Sequence, residues 1–254
     1  MGFDVSADAY DRFMGRYSRP LAPSFADFAG VSSAPQEVLD VGCGPGALTT
    51  ELVRRVGEQR VVAADPSPTF VAAARIRHPG VELHHAAAEH LPLRDDSFDV
   101  ALAQLVVHFM DDPVAGLVQM RRVTRPGGVV AACVWDFHEG GSPLTAFWTA
   151  AREFDPQVPG ESNLPGTRRG QLAELLTEAG LVEVSDTSIE VDVAHRSFDA
   201  WWAPFELGVG PAGAYVSSLT SLDRQRLQEG CRDHMPQAPF VVTAVAWAAR
   251  GFVR

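Results

Sequence analysis

Gly42, Gly44 and Gly46 stand at every second position directly after the apolar segment Glu37 to Val41, and Asp40 precedes the first glycine by two places. Glycines so spaced let a backbone turn tightly and come close to a ligand. Gly42-x-Gly44-x-Gly46-Ala47 satisfies two templates, the G-x-G-x-G of methyl-donor sites and the G-x-G-x-x-G/A of dinucleotide sites. Three neighbours separate them. Asp40 repels a pyrophosphate and attracts a cationic amino-acid group. Pro45 lacks the N–H that a phosphate uses. Asp65 ends the next apolar segment, 23 residues after Gly42, where a carboxylate bonds a ribose diol in either template. Asp65 points to an adenosine, and Asp40 to a sulfonium amino acid attached to it.

His108, just past the fourth apolar run, is the candidate general base, with an ordinary pKa of roughly 6.5 that suits proton removal near neutrality. A histidine satisfied at a strand–helix junction is the competing reading. Asp136 and His138 are second candidates, against a surface-loop reading. His84, His85, Glu89 and His90 make no metal site, because adjacent strand residues face opposite ways and no HExxH spacing is present. Trp148, Trp201, Trp202 and Phe205, with Tyr215, are candidates for an aromatic wall around a flat or apolar acceptor, or else for packing of a cap onto the sheet. Cys43 lies beside a helix N-terminus, a setting that can lower a thiol pKa, although small size for close packing explains it better.

The elements that position these residues alternate. Short apolar runs at 37–41, 60–64, 81–86, 98–107 and 129–135 read as strands, separated by helical patterns at 47–56, 67–77 and from Asp112-Pro113 to before Arg125-Pro126-Gly127-Gly128. That rhythm predicts an α/β fold with a doubly wound, mostly parallel seven-stranded sheet and ligands at its strands' carboxyl ends. Residues 182–193 and 240–249 supply the last two strands. One domain is expected over 1–254, with a helical lid at 1–36, a cofactor-binding core at 37–135, substrate-side helices and cap insertions at 136–180 and 195–239, and closing strands at 181–194 and 240–250.

The chain resembles the class I S-adenosylmethionine-dependent methyltransferases, more narrowly the bacterial type 11 group. The resemblance rests on Val38-Leu39-Asp40-Val41-Gly42-Cys43-Gly44-Pro45-Gly46, Ala64-Asp65-Pro66-Ser67, Ala87-Ala88-Glu89-His90-Leu91-Pro92-Leu93, Asp96-Ser97-Phe98-Asp99-Val100 and Arg125-Pro126-Gly127-Gly128. All five segments fall in order between about residues 10 and 135. The resemblance implies a Rossmann-like fold binding S-adenosyl-L-methionine and releasing S-adenosyl-L-homocysteine. It further implies that the turn of Gly42, Cys43, Gly44 and Gly46 lies against the methionine part and that Asp65 and Pro66 meet the ribose. Ala88 and Glu89 would contact adenine, and Gln104 and Leu105 would lie under the methyl group. Family members often carry Asp where this chain has Ala87. The segment Tyr10 to Tyr17 looks like the family's closing helix, with Tyr10, Phe13 and Tyr17 as shields. Its Arg16 either pairs the methionine carboxylate or is solvated.

All 21 basic side chains are Arg, so chemistry that needs a Lys, in phosphate-loop nucleotidases, ordinary kinases and pyridoxal enzymes, is excluded. A net charge of −11 argues against nucleic acid and anionic membranes as partners. Three scattered cysteines make no disulfide framework and suit a reducing cytoplasm. No signal segment or membrane span is read, and the M-G-x-x-x-S match at Gly2 to Ser6 is taken as accidental. The expected activity is methyl transfer by in-line displacement to an O, N or C nucleophile of a small molecule. An NAD-dependent oxidoreductase and a non-catalytic donor-binding module are the alternatives.

Overall fold

A computed structural model describes residues 5–254, so Gly2 of the acylation-like pattern lies outside the described residues. Seven strands form one sheet: β1 (Val38–Val41), β2 (Val61–Asp65), β3 (Glu82–His85), β4 (Phe98–Gln104), β5 (Thr124–Trp135), β6 (Val182–His195) and β7 (Phe240–Phe252). Their order is β3-β2-β1-β4-β5-β7-β6, with β7 antiparallel to both neighbours and the other pairings parallel. Order reverses between β1 and β4, which opens a crevice at their carboxyl ends.

The apolar runs are continuous because the central strands are covered on both sides. Val38, Val100, Leu102, Ala131, Cys133 and Trp135 pack on one face. The alternate residues Leu39, Val41, Ala101, Ala103, Val130, Ala132 and Val134 pack on the other. The helices in chain order are α1 (Ala7–Tyr10), α2 (Arg16–Phe28), α3 (Ala47–Val56), α4 (Pro68–Arg77), α5 (Pro113–Val123), α6 (Thr145–Phe154), α7 (Gln171–Glu178), α8 (Phe198–Trp202), α9 (Gly210–Ser218) and α10 (Ser221–Asp233). Ser67 and Asp112 cap α4 and α5 by accepting the N–H groups of Phe70 and Ala115.

Several boundaries differ from the sequence reading. Strand four stops at Gln104 rather than Val107, because Leu105 takes φ 62° and turns the chain into a short 3₁₀ segment at Val107–Phe109. Strand five starts at Thr124, with a register shift opposite Phe98 and Val100 absorbing Pro126-Gly127-Gly128. The single closing helix expected over Tyr10 to Tyr17 is α1 and α2 joined by a π-helical turn at Asp11–Gly15. Asp11 Oδ2 accepts from Arg19 and Arg77 at 2.7 Å each, latching that turn to α4. The 195–239 insertion holds three helices, where the sequence pattern marks one.

The turn after β1 and the turn after β4 cross so closely that a Cβ at Gly42 would lie 2.4 and 2.5 Å from the methyls of Val106, with φ at 70°. Gly42→Ala should therefore lose roughly 2–4 kcal/mol, from backbone strain plus overpacking. Urea unfolding checks this, and Val106→Ala in the same chain should restore part of the loss.

Candidate active site

The glycine turn is fixed by its own backbone bonds and by one carboxylate. Gly42 and Cys43 donate their N–H groups to the carbonyl of Ala64, at 2.7 and 3.0 Å, and Gly46 donates to Cys43. Gly44 N–H goes to Asp65 Oδ2 at 2.8 Å, while Asp65 Oδ1 accepts from Ser67 N–H at 2.8 Å. Burial raises the Asp65 carboxyl, opposed by those two N–H groups. With Pro45 lacking an N–H, every donor of the turn is spent within the protein.

In front of the turn lies a cleft of about 360 Å³. Gly42, Gly44, Asp65, Pro66, Ala88, Glu89 and Leu105, which are among the expected cofactor contacts, line it together with Tyr10 of α1. Phe70, Val106, Phe109, Met110 and Asp111 also line it, and sequence reasoning missed them. Tyr10 meets Phe70 edge to face at 5.3 Å, so the amino-terminal segment packs on the first turn of α4.

Behind the turn is a chamber of about 10 Å³ bordered by Tyr10, Ser18, Asp40, Gly42, Cys43 and Gln104. Asp40 is 1% exposed; its Oδ2 accepts from Thr49 Oγ1 at 2.6 Å, and its Oδ1 has no partner. Burial pushes this carboxyl up to about 7. Gln104 Nε2 donates to Ser18 O at 3.0 Å, leaving Gln104 Oε1 and the Ser18 hydroxyl unpartnered. Three orphaned oxygens in a buried space suit a ligand rich in N–H donors, and the carboxyl favours a cation. Cys43 is buried and its thiol pushed well up, mainly by loss of solvent, so it is a packing residue on that wall rather than a reactive thiolate.

Two expected cofactor contacts are corrected. Arg16 neither faces the cleft nor is solvated: its guanidinium donates to the carbonyls of Ala200 and Trp201 at 3.1 and 3.0 Å and to Phe13 at 3.1 Å. A cation at the carboxyl end of α8 is favourably placed there. Gly46 starts α3 at φ 97° and packs toward His78, so it shapes the turn without bordering the cleft.

A second chamber, of about 30 Å³, shares Tyr10, Leu105 and Phe109 with the cleft and extends to His108, Trp135, Phe137, Glu161 and Val209. His108 is here as expected, but burial drives its pKa down to about 3 and its Nδ1 has no partner, so it stays neutral and is a weak base. The aromatic wall is made of other residues than expected. Trp201, Trp202 and Phe205 are 0–2% exposed inside the cap, where Phe205 stacks on Phe147 at 4.7 Å. Trp148 is buried beside them, 5.0 Å from Phe147, and none of the four borders the cleft or either chamber. Tyr215 joins the same cluster. Asp136 accepts the N–H groups of Glu139 and Gly141 and so closes a turn, and His138 is exposed. His84 pairs with Glu82 and His85 with the Pro66 carbonyl. Among the described residues no three or more His, Cys, Asp or Glu side chains converge as metal ligands.

Residues 39–132 match the family model described as a methyltransferase domain. A malonyl-(acyl-carrier protein) O-methyltransferase of Hahella chejuensis is 34% identical over 128 residues, 50% of this chain and 45% of that protein. A demethylmenaquinone methyltransferase of Chlorobaculum parvum is 32% identical over 133 residues, 50% of this chain and 55% of that protein. The chain thus spans about half the length of these relatives. Among solved structures, the YcgJ protein of Bacillus subtilis aligns with TM-score 0.59 and 19% identity, over 92% of this chain and 97% of that one. Phosphoethanolamine N-methyltransferase 2 of Haemonchus contortus, solved with phosphomonomethylethanolamine and S-adenosylhomocysteine, aligns with TM-score 0.61 and 15% identity, over 98% and 57%. Identities this low speak to the fold. Residues 39–132 of the chain thus match a methyltransferase domain, and the seven-stranded sheet they belong to has the fold of these solved structures.

Proposed function

We propose that this protein transfers a methyl group from S-adenosylmethionine to a small-molecule nucleophile. The observation that carries the reading is the glycine turn with every N–H already spent, beside a buried chamber of unpartnered oxygens. A pyrophosphate finds neither a donor nor a favourable charge there, which weighs against a nicotinamide dinucleotide. An adenosine with a cationic amino acid fits both ends. Asp65 would accept the ribose hydroxyls through its remaining lone pairs, Ala88 and Glu89 would border the adenine, and Asp40, Gln104 and Ser18 would receive the ammonium. When bound, the sulfonium supplies an electrophilic methyl group and leaves neutral. The chain's part is to align donor and acceptor in a dry site, where orientation supplies roughly 7–11 kcal/mol.

The second chamber, which adjoins the cleft at Tyr10, Leu105 and Phe109, is where a small acceptor would enter, and the net charge of −11 weighs against nucleic acid. The three cysteines are unpaired and buried, which suits the cytoplasm as the place of action. No helix of the described residues is long and apolar enough to cross a membrane.

Calorimetric titration with S-adenosylhomocysteine should show binding to the wild type and at least about tenfold weaker binding to Asp65→Ala, given two lost charge-assisted bonds. NAD should bind neither; NAD binding alone would sink the reading.

The Asp40 carboxyl gives a second outcome. A carboxyl raised on folding contributes stability that is full below its unfolded value and lost as pH rises to about 7. An incoming ammonium needs the ionised form, so affinity for S-adenosylhomocysteine should fall as pH drops below about 7, with a proton released on binding. Asp40→Asn should bind weakly with little pH dependence and, unliganded, melt higher than the wild type at pH 8. A wild-type affinity flat from pH 5.5 to 8 contradicts the assignment.

A further inference from the structure

Glu161 is a buried carboxylate that none of the cofactor contacts uses. It lies on the loop between α6 and α7, is 3% exposed, and borders the second chamber. Its Oε2 accepts the indole N–H of Trp148 at 2.9 Å, which fixes the carboxylate's position. Phe13, Phe109, Trp135, Phe137, Leu144 and Val209 give the chamber a mostly apolar lining, with Tyr10 and His108 beside them. We propose that Glu161 is the general base for this protein's methyl acceptor, and that the acceptor is a mostly apolar, ring-bearing molecule whose nucleophile is a hydroxyl group. The proposal rests on the donor site described above.

Three ionisable groups line the chamber, His108 from the turn after β4, Tyr10 of α1 and Glu161; burial pushes the Tyr10 phenol well up, so it keeps its proton. His108 is held neutral at about 3 and takes a proton poorly, whereas Glu161 is lifted to about 7 by burial, against the Trp148 bond. A base is most effective with its pKa near the working pH. Trp148 of α6 carries no charge, and the guanidinium of Arg152, from the same helix, runs beside Gly160. Carboxylate chemistry chooses between nucleophiles. An amine would meet Glu161 as an ammonium ion, and the pair would hold its proton on and its lone pair blocked. A hydroxyl is neutral on arrival, and hydrogen bonding to the carboxylate makes its oxygen more nucleophilic. As that oxygen bonds the methyl carbon, its proton passes to Glu161 Oε1, and the electron pair of the broken carbon–sulfur bond stays on sulfur. The proton reaches solvent when the chamber opens.

Its present volume, about that of one water, is too small for a ring. The wall at Val209–Ala212 follows Gly208 at φ 73° and contains Gly210 at φ 61°, and entry needs that wall to move.

The test uses 2-naphthol, 2-methoxynaphthalene and phenethylamine as probes, titrated by fluorescence into protein saturated with S-adenosylhomocysteine, and 2-naphthol as acceptor in turnover. The wild type should bind 2-naphthol at least tenfold better than the other two and methylate it at a rate that rises through about pH 7. Glu161→Gln keeps an oxygen that accepts the hydroxyl, so 2-naphthol affinity and KM should hold while kcat falls roughly a hundredfold or more. Trp148→Phe removes the N–H that lowers the carboxyl, so the rising limb should move to higher pH; a merely structural tryptophan leaves the limb in place. Phenethylamine preferred over 2-naphthol, no binding or methylation of 2-naphthol, full activity in Glu161→Gln, or an unmoved limb in Trp148→Phe each overturns the proposal. If these occur while S-adenosylhomocysteine still binds, Glu161's role alone falls; if the wild type fails to bind it, the donor reading falls as well.

Discussion

The carboxylate of Asp65 is the clamp on which the site depends. By taking one N–H from the turn after β1 and another from the turn after β2, it ties two loops into a single rigid edge. A charged acceptor makes these bonds stronger than neutral ones and holds the glycines in left-handed conformations. The same clamp decides what the turn does not bind, since a backbone already bonded to its own carboxylate presents shape rather than donors. Selectivity then passes to the oxygens behind it. The lid follows from this edge too: Tyr10 rests where Gly42, Gly44 and Asp65 leave space, with Phe70 as its backing.

Burial sorts the ionisable groups of the site by environment. Asp40, Glu161 and His108 all lose water, yet each is left a different partner set: a threonine hydroxyl, an indole N–H, and nothing at Nδ1. Two acids are moved toward neutrality, and a base is moved away from it. The cleft and the second chamber thus present different electrostatics on either side of a wall shared by Tyr10, Leu105 and Phe109.

What was legible in the sequence is what depends on short range. Glycine spacing, Asp40, Asp65 and the Ala88-Glu89 pair sit at or just after strand ends whose apolar runs announce themselves, and the mostly parallel, doubly wound sheet follows from alternation. The errors all involve distant partners. Arg16 is claimed by carbonyls 184 and 185 residues away, and the four cap aromatics find one another rather than the acceptor. Nothing local marks Leu105 as the residue that turns the chain, because leucine rarely adopts positive φ. Glu161 lay unnoticed in a loop, since only tertiary burial distinguishes it from a solvated glutamate. The low pKa of His108 likewise arises from tertiary burial that its sequence neighbours do not show.

The reversed strand β7 has a consequence for how the molecule is made. It lies between β5 and β6, so the last-synthesised of the seven strands fills an interior place in the sheet. While the ribosome is still producing residues 240–252, β5 has an open edge and β6 has no neighbour to pair with. Two unsatisfied hydrogen-bonding edges and the apolar residues Ile189 and Val191 then wait on the nascent chain. The cofactor half can assemble first, but the sheet is completed as a final insertion, and that interval is when this chain is most open to pairing with another copy of itself.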